Sequence, residues 1–237
     1  MVVLAATKLF FALIYAMTYS EAADQSEADP LVQVNFYGEA LCPYCARFLD
    51  TVAARIYDNG VMNMTRFRYI PYGNAKETQD GTVCQHGPQE CELNRILSCA
   101  IHLNPDQQVW FPFAKCLESL GPSKIQPLEP AEPCAQDASI NYSAIQDCAS
   151  GQMAVELQKK AAEETASLKP AHTYVPWVTV NGIAIGGAFE QLQTFICASY
   201  LGERPEICYG PPQIAVSSAT HATLSQVLQQ IDHRLNH

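Results

Sequence analysis

The chain has 237 residues, of which 48% are hydrophobic, and a formal net charge of −10 at pH 7. This length and hydrophobic content are typical of one folded core with room for a subdomain, and they exclude a wholly disordered chain. The acidic balance, without any long basic run in the sequence, argues against nucleic acid as a partner.

Residues 1–23 are predicted to form a secretory signal peptide that is cleaved from the mature protein. One early cation, Lys8, precedes the apolar run 9–17, and small residues follow at Ala22 and Ala23. The run is about half of the ~20 residues that a membrane-spanning helix needs, with a signal anchor or a buried helix as the alternative. We therefore expect a mature protein of the secretory pathway without a membrane anchor, in a compartment where cysteines pair.

Two N-x-[ST] sequons, at Asn63 and Asn141, predict glycosylation within that pathway. The motif is short and recurs by chance, so its weight comes from the signal peptide that precedes it. Both segments should be exposed if they carry glycans.

The first part of the mature chain predicts a redox site. Residues 32–38 alternate and are rich in β-branched and aromatic side chains, which predicts a strand, and residues 46–57 have the periodicity of an amphipathic helix. A C-x-x-C motif, formed by Cys42 and Cys45, lies between them. Cys42 would lie at the helix N-terminus, where unpaired amides and the helix dipole favour the nucleophilic thiolate.

A strand, a C-x-x-C motif and a helix in this order predict a thioredoxin-like domain with Cys42 and Cys45 as the catalytic pair. Half of a zinc site or a structural disulfide is the alternative. Zinc would require a second pair of ligands at suitable spacing, and the sequence shows no obvious one.

The next elements complete a β-α-β unit, and a long insertion follows it. Asn59-Gly60 is predicted to end the helix, and residues 64–72 alternate again, which predicts a second strand. Residues 73–169 contain no convincing strand but hold six cysteines, and we interpret about 74–170 as a helical insertion stapled by disulfides. Its predicted helices cover about 90–102, 109–120, 143–151 and 153–167, with a proline-rich loop over 121–133.

The chain then returns to the sheet. Residues 173–182 predict a strand that ends in an Asn-Gly turn, followed by a partner strand over 183–185 and a final helix over 188–201. In thioredoxin-like folds a cis proline at this point of the order lies against the C-x-x-C sulfurs, so we predict a cis Val175–Pro176 bond. The predicted fold is α/β: a thioredoxin-like fold with a disulfide-stapled helical insertion between the second strand and the cis-proline strand.

Four residues are expected to contact substrate because such a fold places them beside the sulfurs: Pro43, Tyr44, Val175 and Pro176. Substrate backbone is expected to pair with the edge beside Val175, which would make recognition tolerant of sequence. The domain is expected to span 31–209, and residues 210–237 to form a tail that is either helical or removed by processing.

A longer motif lies inside the insertion, where residues 84–99 have the sequence CQHGPQECELNRILSC. It resembles the C-Q-H-G-x-x-E-C-x-x-N-x-x-x-x-C signature of the gamma-interferon-inducible lysosomal thiol reductase family at every fixed position. With the C-x-x-C motif and the downstream V-P-W-V-x-V-N-G, the resemblance covers about residues 31–209. It implies a soluble, glycosylated reductase of protein disulfides in an acidic compartment, with Cys42 and Cys45 as its active pair. The expected address is the lysosome or vacuole, or the outside of the cell.

The resemblance leaves the chemistry of the signature open. Its cysteines and His86 could surround zinc, but an oxidising lumen favours disulfides, with His86 as a polar structural residue or a pH-sensitive neighbour. The eight structural disulfide candidates are Cys84, Cys91, Cys99, Cys116, Cys134, Cys148, Cys197 and Cys208. Their pairing stays open, except that Cys197 and Cys208 flank the last helix and could join each other.

The expected reaction is the reduction of disulfide bonds in protein substrates. It would pass through a mixed disulfide on Cys42 that Cys45 resolves, without a metal or other cofactor, and an external small-molecule thiol would recharge the dithiol. Two alternatives share the same features: a disulfide oxidase or isomerase of the secretory pathway, and a non-catalytic, disulfide-rich secreted binding protein. The reduction potential of the pair tests the first, and serine replacement of its cysteines tests the second.

Overall fold

A computed structural model describes three stretches of the chain: residues 30–79, 81–120 and 131–210. The predicted signal peptide, and all of the predicted tail except Gly210, lie outside these stretches. Within them, no helix combines the length and hydrophobicity that crossing a bilayer requires.

The predicted β-α-β unit is present. Strands β1 (Val32–Gly38) and β2 (Thr65–Pro71) pair in parallel. Helix α1 connects them and has three consecutive segments: the α-helical Pro43–Phe48, the π-helical Leu49–Ala53 and the α-helical Ala54–Asp58. The first strand has the bounds that the sequence predicts, and the helix includes the predicted residues.

Helix α1 buries one apolar face and ends where expected. Gly60 follows the helix with a φ of 79°, the left-handed conformation that glycine adopts without a steric penalty. Burying a large apolar side chain contributes about 1.5–3 kcal/mol, so this face binds the helix firmly to the sheet. The residues of the face are at most 2% exposed: Phe48, Leu49, Val52, Ala53 and Ile56.

A two-stranded hairpin follows β2, where the sequence predicted no strand. Strands β3 (Lys76–Thr78) and β4 (Gly81–Val83) pair antiparallel, with Lys76 opposite Val83. The prediction was wrong because each strand has only three residues and buries none of them, so no alternation of apolar and polar residues marks them. Pairing between the two strands, rather than burial of their side chains, stabilises this hairpin.

The rest of the insertion is helical, as predicted. Within the described residues its helices are α2 (Pro88–Leu103), α3 (Gln107–Ser119), α4 (Ala131–Asp137), α5 (Tyr142–Ser150) and α6 (Gln152–Ala166). Helix α4 begins inside the predicted loop 121–133, so the loop prediction is wrong for residues 131–133, while 121–130 lie outside the described stretches. Pro133 lies in the first turn of α4, where its missing N–H has no intrahelical acceptor to lose.

The last elements close the sheet. Strand β5 (Trp177–Val180) pairs antiparallel with β1 and with β6 (Ile183–Ala184), so the strand order is β2-β1-β5-β6. The predicted final helix begins as a 3-10 turn over Gly186–Gln191 and continues as α7 (Leu192–Ser199). The parallel strands β1 and β2, the antiparallel strands β5 and β6 and the flanking helices form a thioredoxin-like fold.

The insertion and the sheet share one core. Phe36 of β1 packs on Phe48 of α1 and on Tyr69 of β2, with ring centroids 4.8 and 4.4 Å apart. Phe67 of β2 stacks on Trp110 of α3 at 6.0 Å. Because residues of the insertion complete the core under the sheet, the insertion is part of the same folded unit rather than an appended domain.

The eight cysteines outside the C-x-x-C motif form four disulfides, three of them within the insertion. The structure joins Cys197 to Cys208, the one pairing that the sequence singled out. Each bridge restricts the unfolded chain, and a loop of about 15 residues gives roughly 3 kcal/mol of stability in the entropic account. The three bridges of the insertion are Cys84–Cys91, Cys99–Cys148 and Cys116–Cys134.

Candidate active site

Cys42 is the N-cap residue of helix α1. Its backbone is extended, with φ −78° and ψ 116°, and its Sγ accepts a hydrogen bond from the backbone nitrogen of Cys45 at 3.4 Å. The nitrogen of Ala46 donates to the Cys42 carbonyl at 3.0 Å, which fixes the first turn. The sulfur therefore occupies the position where a helix presents its unpaired amides to a negative charge.

The two sulfurs of the motif are free thiols with opposite proton affinities. A hydrogen bond from the Cys45 side chain, amide hydrogen bonds from Cys45 and Tyr44, and the charge of His86 lower the pKa of Cys42 to about 6 against the opposing effect of burial. Burial, followed by the interaction with Cys42, raises the pKa of Cys45 well above its ordinary value. Cys42 can thus be a thiolate while Cys45 keeps its proton.

Three of the predicted substrate-contacting residues lie in one cleft beside this pair. Tyr44, Val175 and Pro176 line it together with Arg47 and Phe189, in a volume of about 340 Å³. Tyr44 is 69% exposed, so its ring is available to a bound chain. The Val175–Pro176 peptide bond is cis, which confirms that prediction.

Pro43 opens onto a second groove. It lines this groove with Cys42, Arg47 and Glu118. Arg47 and Thr51 line both the cleft and the groove, and Cys42 lines the groove.

Three buried carboxyl groups lie at or behind the active-site loop: Glu118 lines the groove of Cys42, and Glu39 and Glu90 lie close to His86. Of the three, the sequence marks only Glu90, as a fixed position of the signature. Glu39 and Glu90 are each 0% exposed, and Glu118 is 4% exposed. Burial raises the pKa of Glu39 to about 7 and that of Glu118 to about 8. The Tyr69 hydroxyl donates to Glu118 Oε1 at 2.5 Å. Glu39 and Glu118 are therefore largely uncharged in a mildly acidic medium.

Residues of the signature motif form hydrogen bonds with the active-site loop and with one another. Asn94 Oδ1 accepts a hydrogen bond from the nitrogen of Ala40 at 2.8 Å, and Glu90 Oε2 lies 2.6 Å from both the backbone nitrogen and Nδ1 of His86. Glu90 and Asn94 are four residues apart on α2, so they share a helix face, and this spacing is visible in the signature. Glu39 carries no such sequence signal, because only the fold brings it to His86.

The cysteines of the signature are not available as zinc ligands. Cys84, Cys91 and Cys99 of the signature are all in disulfides. Among the described residues, a group that could offer three donor atoms to a metal is Glu39, His86 and Glu90, whose donor atoms lie within 4.8 Å of one another. The nitrogen-to-oxygen separation of 2.6 Å between His86 and Glu90 is that of a short hydrogen bond.

Both predicted glycosylation sites lie at the surface. Asn63 is exposed in the 3-10 turn Val61–Met64, and Asn141 is the exposed N-cap of α5. Their glycosylation stays a prediction.

Comparison with solved structures confirms the fold. The chain is similar in structure to BdbD from Bacillus subtilis, with a TM-score of 0.55 and 16% sequence identity over 74% of this chain and 90% of that one. At this identity the likeness shows the thioredoxin-like fold alone. Together with the relatives described next, the fold and its C-x-x-C dithiol define a thiol-disulfide oxidoreductase.

Sequence relatives narrow the class to one family. The family model for gamma interferon inducible lysosomal thiol reductase matches residues 33–138. The chain is 34% identical to the gamma-interferon-responsive lysosomal thiol protein of Arabidopsis thaliana, over 85% of this chain and 86% of that protein. It is also 34% identical to the gamma-interferon-inducible lysosomal thiol reductase of Mus musculus, over 76% and 72% of the two chains. The chain belongs to this family of thiol reductases.

Proposed function

We propose that the protein reduces disulfide bonds of protein substrates in an acidic lumen of the secretory pathway, with Cys42 as nucleophile and Cys45 as resolving thiol. One observation carries the proposal. Two sulfurs three residues apart, at the first turn of α1, have oppositely shifted pKa values, that of Cys42 lowered to about 6 and that of Cys45 raised. A two-step thiol exchange needs this difference, because one sulfur attacks as a thiolate and the other keeps its proton until the second step.

The reaction transfers two electrons from the dithiol to the substrate. The Cys42 thiolate attacks one sulfur of a substrate disulfide, forms a mixed disulfide and releases the other sulfur as a thiolate, which takes up a proton. Cys45 then loses its proton, and its thiolate attacks Cys42 Sγ. The Cys42–Cys45 disulfide forms, and the second substrate sulfur leaves as a thiol.

The dithiol must be restored after each turnover. Two molecules of a small thiol reduce the Cys42–Cys45 disulfide and leave as their own disulfide, so the electrons balance. The proposal needs no metal and no nucleotide, because the two sulfurs carry the whole redox change.

The electrostatics of the site favour work in acid. At pH 5 a thiol with a pKa of about 6 is about 10% thiolate, whereas an ordinary thiol with a pKa of about 8.5 is only about 0.03% thiolate. At the same pH the buried carboxyls of Glu39 and Glu118 hold their protons and so do not repel the Cys42 thiolate. The names of the Arabidopsis and mouse relatives, both called lysosomal, support a lysosomal or vacuolar address after the predicted signal peptide is removed.

Substrate would lie along the cleft and groove beside Cys42. The backbone before cis-Pro176 offers an edge for a substrate strand, while Tyr44 and Pro43 flank the sulfur from the helix. Main-chain pairing gives affinity without selecting a sequence, which suits an enzyme that opens many proteins. The exposed Tyr44 ring adds an apolar contact.

One observation favours a second candidate, a disulfide oxidase. A low pKa of the attacking thiol stabilises the reduced form of a dithiol, and in bacterial DsbA this stabilisation makes the disulfide a strong oxidant. Equilibration of the Cys42–Cys45 pair with glutathione separates the two candidates. A potential near −120 mV, that of DsbA, would identify an oxidase, and one near −270 mV, that of thioredoxin, a reductase.

The direct test is insulin reduction at pH 5 and pH 7 with a small thiol as donor. The wild type should precipitate the insulin B chain at both pH values, and Cys42→Ser should not. Lys159→Ala provides a matched control, because Lys159 is 77% exposed on α6. A Cys42→Ser variant as active as the wild type would contradict the proposal.

A further inference from the structure

The groove that Cys42 lines is large enough for a small molecule. Its volume is about 400 Å³, within the range of small-molecule sites, roughly 300–1,000 Å³. Cys42 is 4% exposed and lines this groove, whereas Cys45 is 0% exposed. A small thiol that enters the groove therefore meets the Cys42 sulfur rather than that of Cys45.

Arg47 and Asp50 place one charge of each sign on this groove. Both are exposed and line it, three residues apart on α1, a spacing at which opposite charges on a helix can pair. Among the described residues, however, neither side chain forms an ion pair. Asp50 Oδ1 instead accepts a hydrogen bond from the Ser119 hydroxyl at 2.7 Å. Both charges are thus available to a bound molecule.

Glu118 provides an independent sign of a ligand. It lines the same groove from α3 and is 4% exposed. The Tyr69 hydroxyl donates to its Oε1 atom at 2.5 Å, but Oε2 is buried and has no hydrogen-bond partner among the described residues. Buried polar atoms are nearly always hydrogen-bonded. An unpartnered one at a groove beside a reactive sulfur points to a bound molecule with a hydrogen-bonding group.

The chemistry of the groove differs from that of the neighbouring cleft. Four aromatic residues line the cleft, namely Tyr44, Phe48, Tyr174 and Phe189. Aromatic walls suit the side chains of a protein substrate, whereas a cation and an anion beside one sulfur suit a small zwitterion. The protein substrate reacts with the dithiol and the reducing thiol with the disulfide, so the two molecules use the site at different steps.

We propose that the groove binds the reducing thiol: Arg47 holds its carboxylate and Asp50 its ammonium group, which directs its sulfur to Cys42. This inference rests on the proposed function and names the chemical class of the donor, a small thiol that carries both charges. The planar guanidinium of Arg47 suits the task because it can bind a carboxylate through two parallel hydrogen bonds.

The reaction at this site transfers two electrons from two donor molecules. The first donor thiolate attacks Cys42 Sγ of the Cys42–Cys45 disulfide and forms a mixed disulfide, and Cys45 leaves as a thiolate that takes up a proton. The second donor thiolate attacks the donor sulfur of this mixed disulfide and releases the Cys42 thiolate. The two donors leave as their own disulfide, and the enzyme is again a dithiol.

The test is the reduction of the oxidised full-length protein by four small thiols, without a protein substrate. The thiols are 2-mercaptoethanol, which is uncharged, 3-mercaptopropionate with a carboxylate, cysteamine with an ammonium group, and cysteine with both. The reaction is quenched with excess N-ethylmaleimide, and alkylation of the Cys42–Cys45 peptide is quantified by mass spectrometry. Each rate of a variant is divided by the wild-type rate with the same thiol, so that differences in thiol reactivity cancel.

The expected losses follow the charges of the donors. Arg47→Gln should slow 3-mercaptopropionate and cysteine about tenfold, which corresponds to about 1.4 kcal/mol, and change the other two rates less than twofold. Asp50→Asn, which keeps an acceptor for Ser119, should slow cysteamine and cysteine to a similar degree and leave 3-mercaptopropionate unchanged. The assay is run at pH 7 and physiological ionic strength, where exposed charges are largely screened beyond about 8 Å, so a selective loss reports close contact.

Arg55→Gln is the matched control. Arg55 lies on the same helix, about 12 Å further along, and pairs with Glu190 at 3.6 Å. Its replacement should change none of the four rates more than twofold. The proposal would be overturned if Arg47→Gln slowed all four thiols equally, or if it slowed none of them.

The outcomes also distinguish this inference from the proposed function. If Cys42→Ser retains insulin reduction, the proposed function fails. If the wild type reduces insulin through Cys42 while the relative rates of the four thiols stay equal in Arg47→Gln and Asp50→Asn, only the donor site is wrong. A raised KM for insulin in Arg47→Gln, with equal relative donor rates, would assign the groove to the protein substrate and overturn the inference.

Discussion

The side-chain oxygen of Asn94 lies 2.8 Å from the backbone nitrogen of Ala40. This hydrogen bond joins helix α2 of the insertion to the loop that carries Cys42, two residues before the sulfur. It gives the fixed asparagine of the signature a physical task, because the nitrogen of Ala40 is buried and needs an acceptor.

Replacing Asn94 by alanine should therefore destabilise the protein and lower its activity together. A buried amide that loses its acceptor costs about 1–3 kcal/mol. Urea denaturation, followed by tryptophan fluorescence, measures this loss. Gln152→Ala, at the exposed start of α6, is the control and should change stability by less than about 0.5 kcal/mol. An Asn94→Ala protein as stable as this control would show that the bond to Ala40 is dispensable.

Replacing Cys45 by serine should trap the reaction half-way. Cys42 can still attack, but no second thiol is within reach to release the substrate, so the mixed disulfide accumulates. Non-reducing electrophoresis with insulin should show a covalent adduct that dithiothreitol dissolves. The Cys42→Ser protein should form none, and an adduct in that variant would assign the attack to the wrong sulfur.

The raised pKa of Glu118 predicts that the oxidised protein is more stable in acid than in weak base. Burial raises the pKa of this carboxyl to about 8 in the folded protein. Its contribution is therefore fully present below the unfolded value near 4.5 and is lost as the pH rises through 8. Glu39 acts in the same direction up to about pH 7.

Thermal denaturation between pH 5 and pH 8 measures this effect in the oxidised state, where the sulfurs of the pair do not titrate. The melting temperature of the wild type should fall by at least a few degrees, since about 1 kcal/mol corresponds to roughly 2–4 °C at this size. In Glu118→Gln the fall should be smaller, because glutamine keeps an acceptor for Tyr69 and carries no proton to lose. Equal slopes in the two proteins would contradict the assignment.

Tyr44 should matter for protein substrates more than for small disulfides. Its exposed ring lines the cleft beside Cys42. Removing an apolar contact worth about 1.4 kcal/mol lowers affinity about tenfold, so Tyr44→Ala should raise KM for insulin by roughly that factor. Reduction of a small aromatic disulfide should change little. Ile183→Ala, at an exposed residue of β6, is the control, and an equal effect in both variants would argue against a role for the cleft.

The features that the sequence predicted are those with a local signal. Strand β1, the helix face of Phe48 and Ile56 and the left-handed Gly60 all follow from periodicity or from one residue's conformational freedom. The cis bond before Pro176 followed from the order of elements in a known fold. These parts of the redox site could be predicted from the sequence.

The features that were missed depend on long-range packing or on very short elements. The hairpin β3–β4 is too brief and too exposed to leave a pattern, and helix α4 begins in a segment that its prolines mark as a loop. Glu118 approaches the sulfurs only because α3 packs beside α1, 73 residues after Cys45 in the chain. Glu39 lies close to His86 only because the fold brings the loop after β1 to the segment before α2. No local pattern encodes such pairs.

The account depends on the Cys42 sulfur being ionised in acid, and alkylation of this residue as a function of pH measures that most directly. With the reduced wild-type protein, the rate of iodoacetamide modification at Cys42 should rise with a midpoint near pH 6, as its lowered pKa requires. A midpoint near 8.5, that of an unperturbed thiol, would contradict the central claim.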